Sequence, residues 1–372
     1  MPTLAEVFRH GGASYLQRYG HAMLPSHRRA MHDILACRTA ELGGHREHCP
    51  ACGYEHYSFH SCNNRSCPTC CRPATERWLR RQLDQILAVP YFHLVFTLPH
   101  ELHATVRSNQ KVLYSLLMRS AAGSLQTLAN DPRYLGGNIG SLCVLHTWTR
   151  AMAYHPHVHC LVPGGGLDNE RVWHQARRAF LVPVRALSII YRARFLTGLK
   201  RSLPQLVLPQ QLWARPWVVY SKPVLQKPEK VVGYLSRYIH RVAITNNRVL
   251  DLSADRVTFR YKDSREAIWK SMTLESGEFI RRFLQHVPPP RFHKVRSFGL
   301  LAPGNRRLLA QVRLFVIPPA PPASATPTVD AAASNPMPPL LCPRCGKAPL
   351  VVLVILPAHQ RSPPSPQLVL SP

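Results

Sequence analysis

The nine-residue run from Tyr154 to Val162, Tyr-His-Pro-His-Val-His-Cys-Leu-Val, constrains this chain more than any other segment. In a β-strand alternate side chains share a face, so His155, His157 and His159 point one way while Val158, Cys160 and Val162 point the other. Such a strand needs an apolar layer behind it and leaves a row of imidazoles in front, which suits a metal ion. A sheet with one face given to chemistry is therefore the first expectation. About 75 residues later, a run patterned as a helix contains Tyr234 and Tyr238.

The helix is expected to start near Pro228-Glu229. Proline is harmless in a first turn, and a carboxylate there complements the positive end of the helix dipole. Val231, Leu235 and Ile239 recur every four residues as a buried stripe. Lys230, Tyr234, Arg237, Tyr238 and Arg241 then share an adjoining face, where two phenols stand in a cationic strip suited to a phosphate.

The 372 residues can hold two or three domains, with a formal net charge of +28 and a pI near 10.4. That imbalance favours a polyanionic partner, nucleic acid first, over small neutral substrates. It extends beyond the tail: residues 171 to 250 carry 15 Lys plus Arg against the single acid Glu229. No apolar stretch reaches the roughly 18 to 20 residues that span a bilayer, and the N-terminus lacks a signal-peptide pattern. A soluble, cytoplasmic protein with no membrane partner is expected.

Eleven cysteines in such a chain read as metal ligands rather than disulfides. Cys49-Pro-Ala-Cys52 and Cys67-Pro-Thr-Cys70 are two Cys-x-x-Cys turns, each able to bite one ion, and together they predict a four-sulfur zinc-ribbon site. Cys37, Cys62, Cys71, His45, His48, His56 and His60 stand close enough to complete a second site or to substitute within the first. Arg46, Arg65, Arg72, Arg77, Arg80 and Arg81 surround the module and could grip DNA. A further pair, Cys342-Pro-Arg-Cys345, is half a zinc knuckle with no sequence-adjacent partner.

Helical spacing is expected from Thr75 to Val89, near 105 to 130 and from Leu187 to Leu203. Strands are expected at Phe92 to Leu98, Leu142 to Trp148, 156 to 162, Trp217 to Tyr220, 256 to 261 and 267 to 273. Adjacent strands with helices between others suggest an α+β domain whose antiparallel sheet is covered by helices. Residues 317 to 340 hold eight prolines and one charge, the pattern of an extended linker. The apolar run Leu350 to Leu356 reads as a sticky tail or a short strand. The expected organisation is a helical and zinc-binding region over 1–89, an α+β domain over 90–315, and a Pro-rich, disordered tail with a Cys-x-x-Cys over 316–372.

The His157-Val-His159 motif, the Tyr234-x-x-x-Tyr238 helix and the Cys49 to Cys70 module, in that order, resemble the two-tyrosine HUH rolling-circle transposases of the insertion sequence 91 family. The likeness runs from about residue 20 to 315, through Cys37-Arg-Thr-Ala-Glu-Leu-Gly-Gly-His45, His155 to Gly166 and Tyr234 to Ile244. The resemblance implies the HUH nuclease fold, a central antiparallel sheet carrying the histidines with the tyrosine helix laid against it. It implies Mg²⁺ or Mn²⁺ at His157 and His159, and a phenolate of Tyr234 or Tyr238 attacking phosphorus in single-stranded DNA at the element's ends or in the target. Lys230, Arg237 and Arg241 would cradle phosphates. A nucleoid-associated bacterial protein follows from the same likeness.

Family members often carry Gln near position 150 as third metal ligand, where this chain has Arg150. An arginine cannot ligate a cation. His155, His146 and His240 remain as substitutes, and an arginine beside the ion would impair cleavage in this copy. Two other readings fit the same motifs: a non-catalytic zinc-dependent DNA-binding regulator, and a plasmid replication initiator or relaxase.

Overall fold

The computed structural model describes all residues except 84–85, 178–179, 225–241, 264–265, 317–340 and 359–372. Helix α1 (Leu4–Tyr19) begins with a capping box: the Glu6 amide donates to Thr3 Oγ1 at 3.2 Å and the Thr3 amide donates to Glu6 Oε2 at 2.6 Å. Its buried stripe of Leu4, Val7, Phe8 and Tyr15 faces α2 (Pro25–Ala36), which opens on a proline. Strands β1 (Gly44–His48) and β2 (Glu55–Phe59) form a hairpin, and α3 (Pro68–Leu83) follows it. The helix starts seven residues before the charge-and-apolar pattern at Thr75, because Cys67 and Pro68 already turn the chain: the Cys71 amide donates to the Cys67 carbonyl.

The central sheet has five antiparallel strands in the order β12-β4-β5-β3-β8. It comprises β3 (Tyr91–Thr97), β4 (Gly140–Trp148), β5 (Tyr154–Pro163), β8 (Val219–Val224) and β12 (Val295–Gly299), with the short pair β6 (Gly165–Leu167) and β7 (Trp173–Gln175) after β5. Helices α4 (His103–Ser108), α5 (Gln110–Ala129), α6 (Val184–Ser202) and α7 (Gln211–Ala214) lie between these strands in sequence. Leu94, Phe96, Cys143, Leu145, Val158, Cys160 and Val162 pack with Leu117, Ala121 and Leu125 of α5 and Phe195 and Leu199 of α6. Fully burying each such Leu or Val stabilises the fold by roughly 1.5–3 kcal/mol, which fixes the face of β5 that turns inward.

A second sheet, β9 (Val249–Ser253), β10 (Arg256–Lys262) and β11 (Trp269–Glu275), leads into α8 (Ser276–Leu284). This part shares one core with the N-terminal helices: Phe8 and Phe283 meet edge to face at 5.6 Å, and Ile34, Phe259 and Phe279 lie in the same cluster. Gly11 allows the approach, since a Cβ there would come within 2.7 Å of Ser276 Cβ. Arg65 joins the module to the central sheet by donating to the carbonyls of Phe292 and Pro289, a structural use of one of the arginines expected to grip DNA.

After α9 (Arg306–Phe315) the last described strand is β13 (Val351–Leu356), and it pairs antiparallel with β1, Gly44 opposite Leu356 and His48 opposite Val351. Within the region expected to be a disordered Pro-rich tail, residues 341–358 therefore carry a strand docked on the N-terminal module. No helix among the described residues is long and apolar enough to cross a membrane.

Candidate active site and zinc module

β5 runs between β4 and β3, with His157 opposite His146 and His159 opposite Val144 on one side, and His159 opposite Val95 on the other. Alternation then works as expected: Pro156, Val158 and Cys160 are buried while His155, His157 and His159 are half-buried on the opposite face. The register brings in a third imidazole from the neighbouring strand. The ring centroids of His146 and His159 are 4.5 Å apart, those of His157 and His159 4.9 Å, and those of His146 and His157 5.5 Å. One nitrogen from each of the three lies within 4.8 Å of the others.

The surroundings keep His157 neutral and orient the cluster. Burial pulls His157 down from the usual imidazole range to about 4, and its Nδ1 lies 2.7 Å from the His155 carbonyl, so Nδ1 carries the proton and Nε2 is left as a donor atom. His93 on β3, also pulled to about 4 by burial and by Lys222, places Nε2 2.9 Å from His159 Nδ1. Trp148 stacks on His146 at 4.6 Å and 19°. Three imidazoles converging through nitrogen are a donor set that fits a divalent transition-metal ion.

His155 shares the strand face but not the cluster. A shift in the β4–β5 register beyond His146 carries the end of the strand away, and His155 meets His103 instead, centroids 5.5 Å apart. Arg150 lies in the turn between β4 and β5. Its guanidinium rests against the carbonyls of Lys262 and Asp263 at 3.5 and 3.4 Å, in the turn after β10, so the repulsion expected beside an ion is not what its contacts serve. His146 was legible only as one of three substitutes, because its membership depends on a strand pairing that sequence spacing does not encode. Tyr234, Tyr238, Lys230, Arg237, Arg241 and the substitute His240 lie outside the described residues. The flanking described residues are Val224, which ends β8 at the edge of the sheet, and Val242, which lines a cavity of about 30 Å³ with Thr147, Trp148 and His286.

The expected zinc quartet Cys49, Cys52, Cys67 and Cys70 is not what the fold assembles. Cys67 and Cys70 gather with Cys37, from the end of α2, and Cys62, from the loop before α3, while Cys49 and Cys52 meet Cys342 and Cys345. The reason is local geometry: Cys67-Pro-Thr-Cys70 enters a helix, and its thiols face the core beside Ile34 and Phe279 rather than the β1–β2 hairpin. In the first quartet Sγ–Sγ distances are 3.5 Å for Cys37–Cys70, 3.6 Å for Cys62–Cys70 and 3.7 Å for Cys37–Cys67. A tetrahedral ion with Zn–S bonds of about 2.3 Å requires edges of about 3.8 Å. Hydrogen bonds from Cys62 and Cys67 pull the Cys37 thiol well below the ordinary range. His45 and His60 pair with each other at 3.0 Å and join neither quartet.

Family models match both parts of the chain: one described as "Transposase zinc-binding domain" matches residues 7–98, and one described as "Putative transposase" matches residues 140–308. The chain is similar to "Putative transposase y4qJ" of Sinorhizobium fredii, 42% identical over 335 residues, covering 84% of this chain and 83% of that one. It is also similar to the "Transposase for insertion sequence element IS801" of Pseudomonas savastanoi pv. phaseolicola, 31% identical over 295 residues, covering 72% and 68% respectively. The chain belongs to the insertion sequence 91 family of transposases, and its partner is accordingly DNA. No solved structure matches it.

Proposed function

We propose that this transposase nicks and rejoins single-stranded DNA at the ends of its insertion sequence through a 5′-phosphotyrosine, with His146, His157 and His159 as the ligands of a catalytic divalent ion. The observation that carries this reading is the convergence of three imidazoles on one face of the central sheet. Bound there, an ion would polarise the scissile phosphate as a Lewis acid. Tyr234 or Tyr238 supplies the nucleophile: the phenolate oxygen bonds to phosphorus, the bond from phosphorus to the 3′ oxygen breaks, and that oxygen leaves as a 3′-hydroxyl. The reverse attack by a 3′-hydroxyl rejoins a strand without a nucleotide cofactor, because the bond energy is conserved. Two phenols allow two successive cleavages.

The described residues that flank the tyrosine segment support it: Val224 ends β8, at the edge of the sheet whose open face bears the histidines, and Val242 lines the cavity with Trp148 and His286. Lys222, exposed on β8 and opposite His93, puts a cation on that same face, where it would meet a phosphate together with Lys230, Arg237 and Arg241. The metal requirement fits Mn²⁺ better than Mg²⁺, since an all-imidazole set favours softer ions over one that prefers oxygen.

Labelled single-stranded oligonucleotides from the element's ends, incubated with protein and Mn²⁺ and run on a denaturing gel, test the proposal. A covalent protein–DNA band that disappears in the Tyr234→Phe, Tyr238→Phe double variant is expected. Binding without any such band would make the chain a zinc-dependent DNA-binding protein that does not cut.

A further inference from the structure

The first cysteine quartet lies within the matched zinc-binding region, but the second does not. Two of its members, Cys342 and Cys345, stand beyond both matched regions, 290 residues or more from Cys52 and Cys49. We propose that Cys49, Cys52, Cys342 and Cys345 bind a second zinc ion that clasps the C-terminal strand β13 onto the N-terminal module.

Three independent features of the structure carry this. The first is distance: Cys49 Sγ is 3.7 Å from Cys345 Sγ and Cys52 Sγ is 3.7 Å from Cys342 Sγ, with all four sulfurs within 4.8 Å of one another. That matches the edge of about 3.8 Å expected around zinc and is far from the roughly 2 Å of a disulfide.

The second is local form. The two segments share the pattern Cys-Pro-x-Cys-Gly, and each folds as the same tight turn. The Gly53 amide donates to the Cys49 carbonyl at 3.0 Å, and the Gly346 amide donates to the Cys342 carbonyl at 2.8 Å. Both glycines take positive φ, +70° and +65°, and neither would meet an atom within 4 Å if it carried a Cβ. They are therefore required by backbone conformation alone, which turns both thiols of each segment toward one point. The turns are closed alike, the Cys49 amide on the Tyr54 carbonyl and the Cys342 amide on the Ala348 carbonyl, each at 2.8 Å.

The third is what little else holds β13. Val351 to Val354 are 44–49% exposed and Ile355 is 70% exposed, so the strand buries only part of each side chain and relies on its ladder to β1. As the edge strand of a small three-stranded sheet with its side chains half exposed, β13 is held only weakly by that ladder. A tetrathiolate ion, formed as each thiol releases its proton to solvent, supplies the missing cross-link, as it does in small domains that cannot build a core.

The full-length protein, purified under reducing conditions and freed of loosely held metal, should contain two zinc ions per chain, one for each quartet. Cys342→Ser with Cys345→Ser should lower this to one, and Cys49→Ser with Cys52→Ser should do the same from the other side. With Co²⁺ in place of zinc, the thiolate charge-transfer absorbance should halve in either double variant. Hydrogen exchange supplies a second readout: amides of 351–356 should lose protection in both variants while those of β4 and β5 keep theirs. One zinc in the unaltered protein, or two in either variant, overturns the proposal. Full protection of 351–356 in a variant holding one zinc overturns the clasp. If one pair of substitutions prevents folding, the other still decides the count.

Discussion

His93 on β3 and His159 on β5 lie with their rings stacked, 8° from parallel, and with His93 Nε2 2.9 Å from His159 Nδ1. For His159 to present Nε2 to an ion its Nδ1 must carry the proton, and His93 Nε2 is then the acceptor. His93 suits that part because burial and the nearby Lys222 hold it neutral. With an ion at the site, His93 would act on it as a positioning residue through His159.

Replacing His93 with Ala should therefore weaken Mn²⁺ affinity about 10- to 100-fold, the usual loss when an outer partner of a metal ligand is removed. A Mn²⁺ titration of oligonucleotide nicking should show the shift, with the rate restored at saturating metal. Unchanged Mn²⁺ dependence would mean that the stacked pair serves packing alone.

The third ligand can be tested by an opposed pair of substitutions. His146→Ala should abolish Mn²⁺-dependent nicking, since His146 brings the only imidazole from β4 among the three that converge. Arg150→Gln should change the rate less than about threefold, because the Arg150 guanidinium is engaged by Lys262 and Asp263. Should Arg150→Gln activate the protein strongly while His146→Ala leaves it intact, the ligand assignment is wrong.

Lys222 offers a prediction on DNA. Lys222→Ala should weaken single-strand binding irrespective of sequence and reduce the salt slope of log K by about 1, the signature of one lost phosphate contact. Binding isotherms between about 50 and 200 mM salt measure both.

Acid stability follows from His286, which is buried with its Nδ1 3.2 Å from Thr147 Oγ1 and its Nε2 3.1 Å from the Met152 carbonyl, and which burial pulls down to about 3. The unfolded chain takes up a proton near the ordinary value of 6.5, while the folded chain refuses it until about 3. Stability from this group is thus complete above 6.5 and is lost as pH falls from 6.5 toward 3, by about 1.4 kcal/mol per pH unit within that window. Urea unfolding of metal-stripped protein from pH 7 to 4 should show the decline, and His286→Gln should flatten part of it.

Local pattern carried much of this protein. The alternation in Tyr154 to Val162 placed the histidines on one face and the core on the other, as β5 has them, and the apolar runs at 92–98 and 142–148 became β3 and β4 within a residue or two. The region 7–98 matches a transposase zinc-binding domain, the chemistry its cysteine turns suggested, though not with the quartet expected. The choice of partners was not legible. Cys67 looks like a ribbon turn in sequence, but a helix starting at Pro68 sends its thiol into the core with Cys37 and Cys62.

What the sequence determined by itself is whatever a side-chain period or a short turn can encode: which residues of β5 face the sheet's open side, and that Cys49-Pro-Ala-Cys52-Gly53 and Cys342-Pro-Arg-Cys345-Gly346 each present two thiols together. Tertiary structure alone decided that His146 joins His157 and His159, and that a cysteine turn near the C-terminus meets one near the N-terminus. The first depends on strand register, where a one-residue slip would turn His146 to the other face. The second depends on an encounter between segments 290 residues apart, and nothing in either segment's own sequence specifies that partner.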